Sequence, residues 1–138
     1  MPALDRFHNA VKNALIKDGW TVTDDPLSLK YGDKDLFVDL GAERLLSAER
    51  GSQKIAVEIK TFAGRSDITE LHRAIGQYVV YETVLRRVDK ERGLFLAVSQ
   101  AVYDAVFSEA VGALLLEEHV TRLLIFDPES EVILRWRP

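Results

Sequence analysis

The chain of 138 residues contains no cysteine. That excludes disulfides, thiolate metal sites and a cysteine nucleophile. It also suits a reducing compartment, so a cytoplasmic location is the expectation. No apolar run is long enough to cross a bilayer, and no membrane association is expected. The opening residues, Met1-Pro2-Ala3-Leu4-Asp5-Arg6, lack the basic-then-apolar order of a secretion leader. Glycine and proline are sparse, at 8 and 4 residues, and no linker, repeat or low-complexity tract interrupts the chain. One domain spanning 1–138 is expected. A basic excess is also missing, since 18 Lys and Arg face 22 Asp and Glu, for a net charge of −4. A tight autonomous duplex binder relies on phosphate neutralisation and carries a basic surface. The balance therefore speaks against that class, while allowing a local basic patch and supplying carboxylates. No phosphate-binding loop, dinucleotide fingerprint or nucleophile elbow occurs.

Hydropathy patterns order the rest. Phe7, Val11, Ala14 and Leu15 recur at helical steps, predicting a helix from about Asp5 to Lys17, with Asp5 as cap and Asp18-Gly19 as stop. A first strand is read at 20–23, with a resumption at 27–31 after Asp25-Pro26. A turn follows at 31–35, and a second strand at 36–40 whose run continues through Leu45-Leu46. Gly41 signals a bulge or a close backbone approach there. A turn at 50–53 leads to a third strand at 54–62, and the three strands read as an antiparallel meander. The longest helix covers 67–88, opened loosely by Asp67 and Glu70, with Ile68, Leu71, Ile75, Tyr78 and Leu85 as its apolar stripe. The apolar run 94–98 reads as a strand buried on both faces. A helical stretch at 101–118 and two strands at 122–126 and 131–136 complete an α/β domain, a mixed sheet with helices on both faces.

The chemistry concentrates between Asp39 and Lys60. Side chains alternate along a strand, so Glu58 and Lys60 share one face while Ile55, Val57 and Ile59 take the other. Taken alone, Glu-x-Lys is more often the solvated face of an amphipathic strand. Asp39 adds weight, because aspartate is a poor strand former and stands here inside an apolar run. A hairpin that aligns the two apolar faces would bring Asp39 to the side of Glu58 and Lys60. On the long helix, Gln77 and Tyr81 are four residues apart and stack on one side. Two carboxylates suit Mg²⁺ or Mn²⁺, which prefers oxygen ligands, and the Ile59 carbonyl offers a third oxygen. Such an ion can activate water and neutralise a phosphodiester, and Lys60 can steady the negative charge that develops. His8, His72 and His119 share no metal-ligand spacing and are expected at the surface or an edge. Arg86-Arg87 with Lys90 and Arg92 reads as a solvated helix end within reach of phosphate. Trp20 and Trp136 read as core or interface residues.

Asp39, then Glu58-Ile59-Lys60, then Gln77-x-x-x-Tyr81, resembles the PD-(D/E)xK nuclease signature with its Q-x-x-x-Y helix, and the element order is similar to that restriction endonuclease-like core. Val38 stands where the signature has proline. Many members carry an acid on the first helix, for which Asp5 is the candidate here. The stretches 3–12, Asp18-Gly19-Trp20, 37–43 and 55–60, with Gly76-Gln77-Tyr78, more specifically resemble the XisH family of fdxN element excision controlling factors. That resemblance implies a cyanobacterial-type protein that controls excision of a DNA element by a separate site-specific recombinase. Catalytic roles for Asp39, Glu58, Lys60, Gln77 and Tyr81, and a metal held by Asp39, Glu58 and Ile59, are what the nuclease signature implies, whereas the XisH resemblance implies a role in DNA rearrangement. It also implies a small XisI-like partner; DNA and a second copy of the chain are further candidate partners. Two rivals stay open: a nuclease fold that serves as a non-catalytic accessory, and a structural domain with a charged sheet face.

Overall fold

The computed structural model describes residues 5–49 and 51–138. Residues 1–4, where the family resemblance begins, and Arg50, in the expected turn at 50–53, lie outside them.

The first helix, α1 (His8–Lys17), is followed by β1 (Thr21–Asp24), β2 (Leu27–Tyr31), β3 (Lys34–Val38), β4 (Leu40–Ser47) and β5 (Gly51–Ile59). Then come α2 (Asp67–Val88), β6 (Arg92–Ser99), the short α3 (Gln100–Val102), a π-helical turn (Tyr103–Phe107), α4 (Ala110–Glu117), β7 (Leu123–Asp127) and β8 (Val132–Arg137). Six strands form a mixed sheet in the order β1-β4-β5-β6-β7-β8. The β5–β6 and β6–β7 pairs are parallel and the others antiparallel. The α2 crossover makes the parallel pairing possible, since parallel neighbours need a long connection.

Several expectations change. The predicted three-strand meander is β1-β4-β5, and β2 and β3 stand outside it as a separate hairpin, paired from Leu27–Val38 to Tyr31–Lys34. The single strand read through 36–46 breaks at Asp39, which lies in a bend between β3 and β4. The turn into β5 sits earlier than expected, at Ala48 and Glu49, with Gly51 at φ 71° opening the strand. The stretch 101–118 is not one helix: it widens to a π turn and restarts at Ala110. Gly41 meets its expectation, because a Cβ there would lie 3.0 Å from Asp24 Oδ2, beside a register shift in the β1–β4 pair.

The sheet separates two cores. On one face α1 and the aromatic rings of Trp20, Phe95, Phe126 and Trp136 cover Ile55, Val57 and Ile59. On the other, Leu71, Ala74, Tyr78, Tyr81 and Leu85 of α2 pack over Ala56, Leu94, Leu96 and Val98, joined by Leu27, Leu29 and Val38 of the hairpin. β6 therefore contributes alternate residues to both cores and is buried on both faces, as its unbroken apolar run predicts. Ile68, assigned to the α2 stripe, is instead exposed. Ser66, not Asp67, caps α2 by accepting the Thr69 N–H, the usual role of a serine before the first turn.

Candidate active site

The register of β4 against β5 builds the centre. Leu40 pairs with Val57, and Gly41 with Ala56, so the next antiparallel partners outward are Asp39 and Glu58. The bend at Asp39 lets its side chain turn onto β5, where Oδ2 accepts the Ile59 N–H at 2.8 Å. Glu58 answers by accepting the Asp39 N–H on Oε1 at 3.2 Å. Glu58 thus fixes the Asp39 backbone, and Asp39 fixes the strand one residue past Glu58, at Ile59. Lys60 falls just past the end of β5 rather than within it, but its N–H still bonds the Ala97 carbonyl at 3.1 Å, which prolongs the strand direction. Its Nζ stands 3.6 Å from Glu58 Oε2. The three residues singled out from strand alternation converge on one point.

Electrostatics mark the same point. Glu58 is buried, and its carboxyl is pushed up to about 8, first by burial and then by the charge of Asp39, with Lys60 pulling the other way. Burial also raises Asp39, against the Ile59 N–H and Glu58 that hold it down. Two carboxyls brought together out of water disfavour each other's charged form, and both are raised.

Gln77 and Tyr81 stand one turn apart on α2. The Gln77 amide donates to the Tyr81 hydroxyl at 3.0 Å. The Tyr81 hydroxyl is raised to about 12, by burial first, then by the negative charge of Glu58, and in smaller part by Asp39. The helix pair therefore lies within the field of the strand carboxylates.

One group was missed in the sequence. His8 was expected at the surface or an edge, yet it is buried beneath α1. Its Nε2 meets Asp25 Oδ1 at 2.6 Å, and Lys12 Nζ meets Asp25 Oδ2 at 2.7 Å. Burial works to raise Asp25, but Lys12 and His8 outweigh it and hold the carboxyl below its usual value. His8 also enters the electrostatics of Asp39, lowering it. His8 and Lys12 are four apart on α1, a spacing that could have pointed to a shared partner. Asp5, the first-helix acid candidate, accepts the Phe7 N–H at 2.9 Å, just before the helix starts at His8. His72 and His119 are exposed, as expected.

Among the described residues, no group of three His, Cys, Asp or Glu side chains is placed to hold a metal. The donors at the candidate site are two carboxylates and a backbone oxygen. Ile59 directs its N–H toward Asp39 while Lys60 satisfies β6, so the Ile59 carbonyl lies on the Asp39 edge as well. This all-oxygen set fits a hard divalent cation. A cation there would also offset the burial and the Asp39 charge that together raise Glu58.

A family model described as XisH protein matches residues 1–134. A solved structure of an XisH family protein from Nostoc punctiforme PCC 73102 is 41% identical, with a TM-score of 0.86 over 97% of this chain and 100% of that one. A second, a fdxN element excision controlling factor protein from Anabaena variabilis, is 41% identical, with a TM-score of 0.85 over 96% of this chain and 98% of that one. No curated protein matches the chain.

Proposed function

This chain belongs to the XisH family, and we propose that it acts in the excision of a DNA element as a Mg²⁺- or Mn²⁺-dependent nuclease of the PD-(D/E)xK type. On this reading the six-stranded sheet with α2 is a restriction endonuclease-like core, and the reaction is hydrolysis of a DNA phosphodiester bond. The observation that carries it is the convergence of Asp39, Glu58 and Lys60, with Glu58 bonded to the Asp39 N–H, Asp39 to the Ile59 N–H, and the Lys60 ammonium beside Glu58.

The chain's own residues divide the work. Asp39, Glu58 and the Ile59 carbonyl would hold the ion, which supplies an activated water and charge neutralisation when bound. The Ile59 N–H and the Asp39 N–H fix the carboxylates, so the ligand geometry is set before substrate arrives. Lys60 keeps its ammonium beside Glu58 and within reach of a phosphate that approaches the pair, where it offsets charge developing on oxygen. Gln77 donates to the Tyr81 hydroxyl and fixes it within the field of the two carboxylates. A small XisI-like partner, a site-specific recombinase and a second copy of this chain are the proposed associates.

The test is cleavage of plasmid and linear DNA with Mg²⁺ or Mn²⁺, with and without the small partner. Wild type should cut, while Lys60→Ala and Glu58→Ala should lose at least about a hundredfold, the scale for removing one charge-stabilising group. Equal activity in all three proteins would sink the nuclease reading. The net charge of −4 favours a second reading, a nuclease-fold accessory that binds a partner without cutting DNA. Wild type inert under every condition would favour it.

A further inference from the structure

Away from the carboxylate cluster, toward the start of β5, a cavity of about 340 Å³ opens between β5, β6 and the C-terminal half of α2. Five cations line it, Lys54, Arg86, Lys90, Arg92 and Arg122, against the carboxylates of Glu82 and Glu91. The chain as a whole carries −4, so this concentration runs against the average. Arg92 is held rigid by Asp89 at 3.1 Å and by the Ile55 carbonyl at 2.9 Å. Arg86 pairs with Glu82 at 3.8 Å. Among the described residues, Lys54, Lys90 and Arg122 have no carboxylate within 4.0 Å. Their charge is available to an external anion.

A second hollow of about 320 Å³ shares Arg86 and adds Tyr31, Thr83, Val84 and Arg87. Tyr31 ends β2, and the residue is 51% exposed. A cationic pocket next to an open aromatic face, with arginines between them, is the combination that holds single-stranded nucleic acid, because the backbone follows the charge while a base stacks on the ring. A duplex keeps its bases stacked inside, so it cannot offer one to Tyr31 while a phosphate enters a concave pocket. The same helix links this surface to the carboxylate cluster: Tyr81 and Arg86 are separated by about 8 Å of helical rise.

We infer that the hollows along the C-terminal half of α2 bind a single DNA strand, a phosphate entering among Lys54, Lys90 and Arg122 and a base stacking on Tyr31. The inference deepens the proposed function, since it names the strand form presented to the Asp39–Glu58–Lys60 cluster, and it takes its substrate class from that reading.

The experiment is fluorescence anisotropy with a labelled oligonucleotide of about a dozen thymidines, in EDTA at about 50 mM salt, so that binding is read without cleavage. Wild type should bind it more tightly than a duplex of the same length. The double variant Lys54→Ala/Lys90→Ala should bind at least tenfold more weakly and lose about 1.4 from the slope of log affinity against log salt, at ~0.7 per phosphate contact. Restoring charge with Lys54→Arg/Lys90→Arg should recover most of the affinity. Tyr31→Ala should weaken binding about tenfold with the salt slope unchanged. Wild type that binds the strand but cuts no DNA would defeat the nuclease reading and uphold the strand site. The strand site is overturned by any of four results: no strand binding by wild type, tighter duplex binding, a double variant within twofold of wild type, or displacement by a poly-glutamate peptide at equal charge concentration. The last result would reassign the pocket to an acidic protein segment.

Discussion

Replacing Glu58 with glutamine should stabilise the metal-free protein, and the gain should grow with pH. Folded Glu58 titrates at about 8, against 4.5 for the free side chain. Across that interval the folded state keeps a proton that the unfolded chain has released, so stability falls as pH rises. From 4.5 to about 8, at ~1.4 kcal/mol per pH unit, the loss reaches about 5 kcal/mol, of which about 3 kcal/mol acts at pH 7. Glutamine keeps an oxygen for the Asp39 N–H but carries no charge to desolvate. Thermal unfolding in EDTA should then place the variant roughly 10 °C above wild type at pH 7, and nearly level with it at about pH 4.5. Adding Mg²⁺ at pH 8 should raise the wild-type midpoint and leave the variant's almost in place, because binding to the folded state alone adds stability. Parallel stability curves for the two proteins between about pH 5 and 8 would refute the reasoning.

Asp25→Asn should lower the melting midpoint by roughly 5 °C at pH 7, since the buried His8 loses its charged partner at a cost of about 1–2 kcal/mol. Asp25 is held below 3.8, so its contribution is complete above that value and disappears as pH falls through the lowered one. A gap between the two proteins that persisted unchanged into strong acid would contradict this account. Gly112→Ala should cost about 1–3 kcal/mol, because a Cβ there meets the Val106 carbonyl and lies 2.7 Å from Phe107 Cα, neither of which can swing aside. Gly64→Ala makes the useful contrast. Its Cβ meets only the far end of the Glu70 side chain, so its melting curve should overlay wild type, and equal loss in both variants would argue against the packing explanation.

Local pattern was legible wherever the decisive contacts were local. The α1, α2 and β6 periods follow from which residues share one face of a helix or fill a strand buried on both sides, and the structure keeps them. The pairing of Asp39 with Glu58 and Lys60 was legible for the same reason: alternation sets Glu58 and Lys60 on one side, and aligning two apolar faces selects the register. The helix cap shows a local rule read one residue late, since Ser66 rather than Asp67 accepts the N–H of α2. The split of the 101–118 stretch was hidden, because Asp104 and Ser108-Glu109 interrupt its apolar residues only briefly and no glycine or proline stands at the break. Across that break Gly112 of α4 lies close to the backbone of Val106 and Phe107.

By itself the sequence determined the α/β class, the long helix, the doubly buried strand and the acidic pair beside a lysine, all from spacing and side-chain preference within a few residues. Tertiary structure decided the rest. It set β2 and β3 apart as a hairpin over α2 and turned Asp39 out of its strand at a bend. It buried His8 against Asp25 from a different element. It raised Glu58 toward neutrality by closing the core around it. These outcomes share one cause. Strand pairing and the desolvation of a charge depend on residues far apart in the chain, which no local window contains.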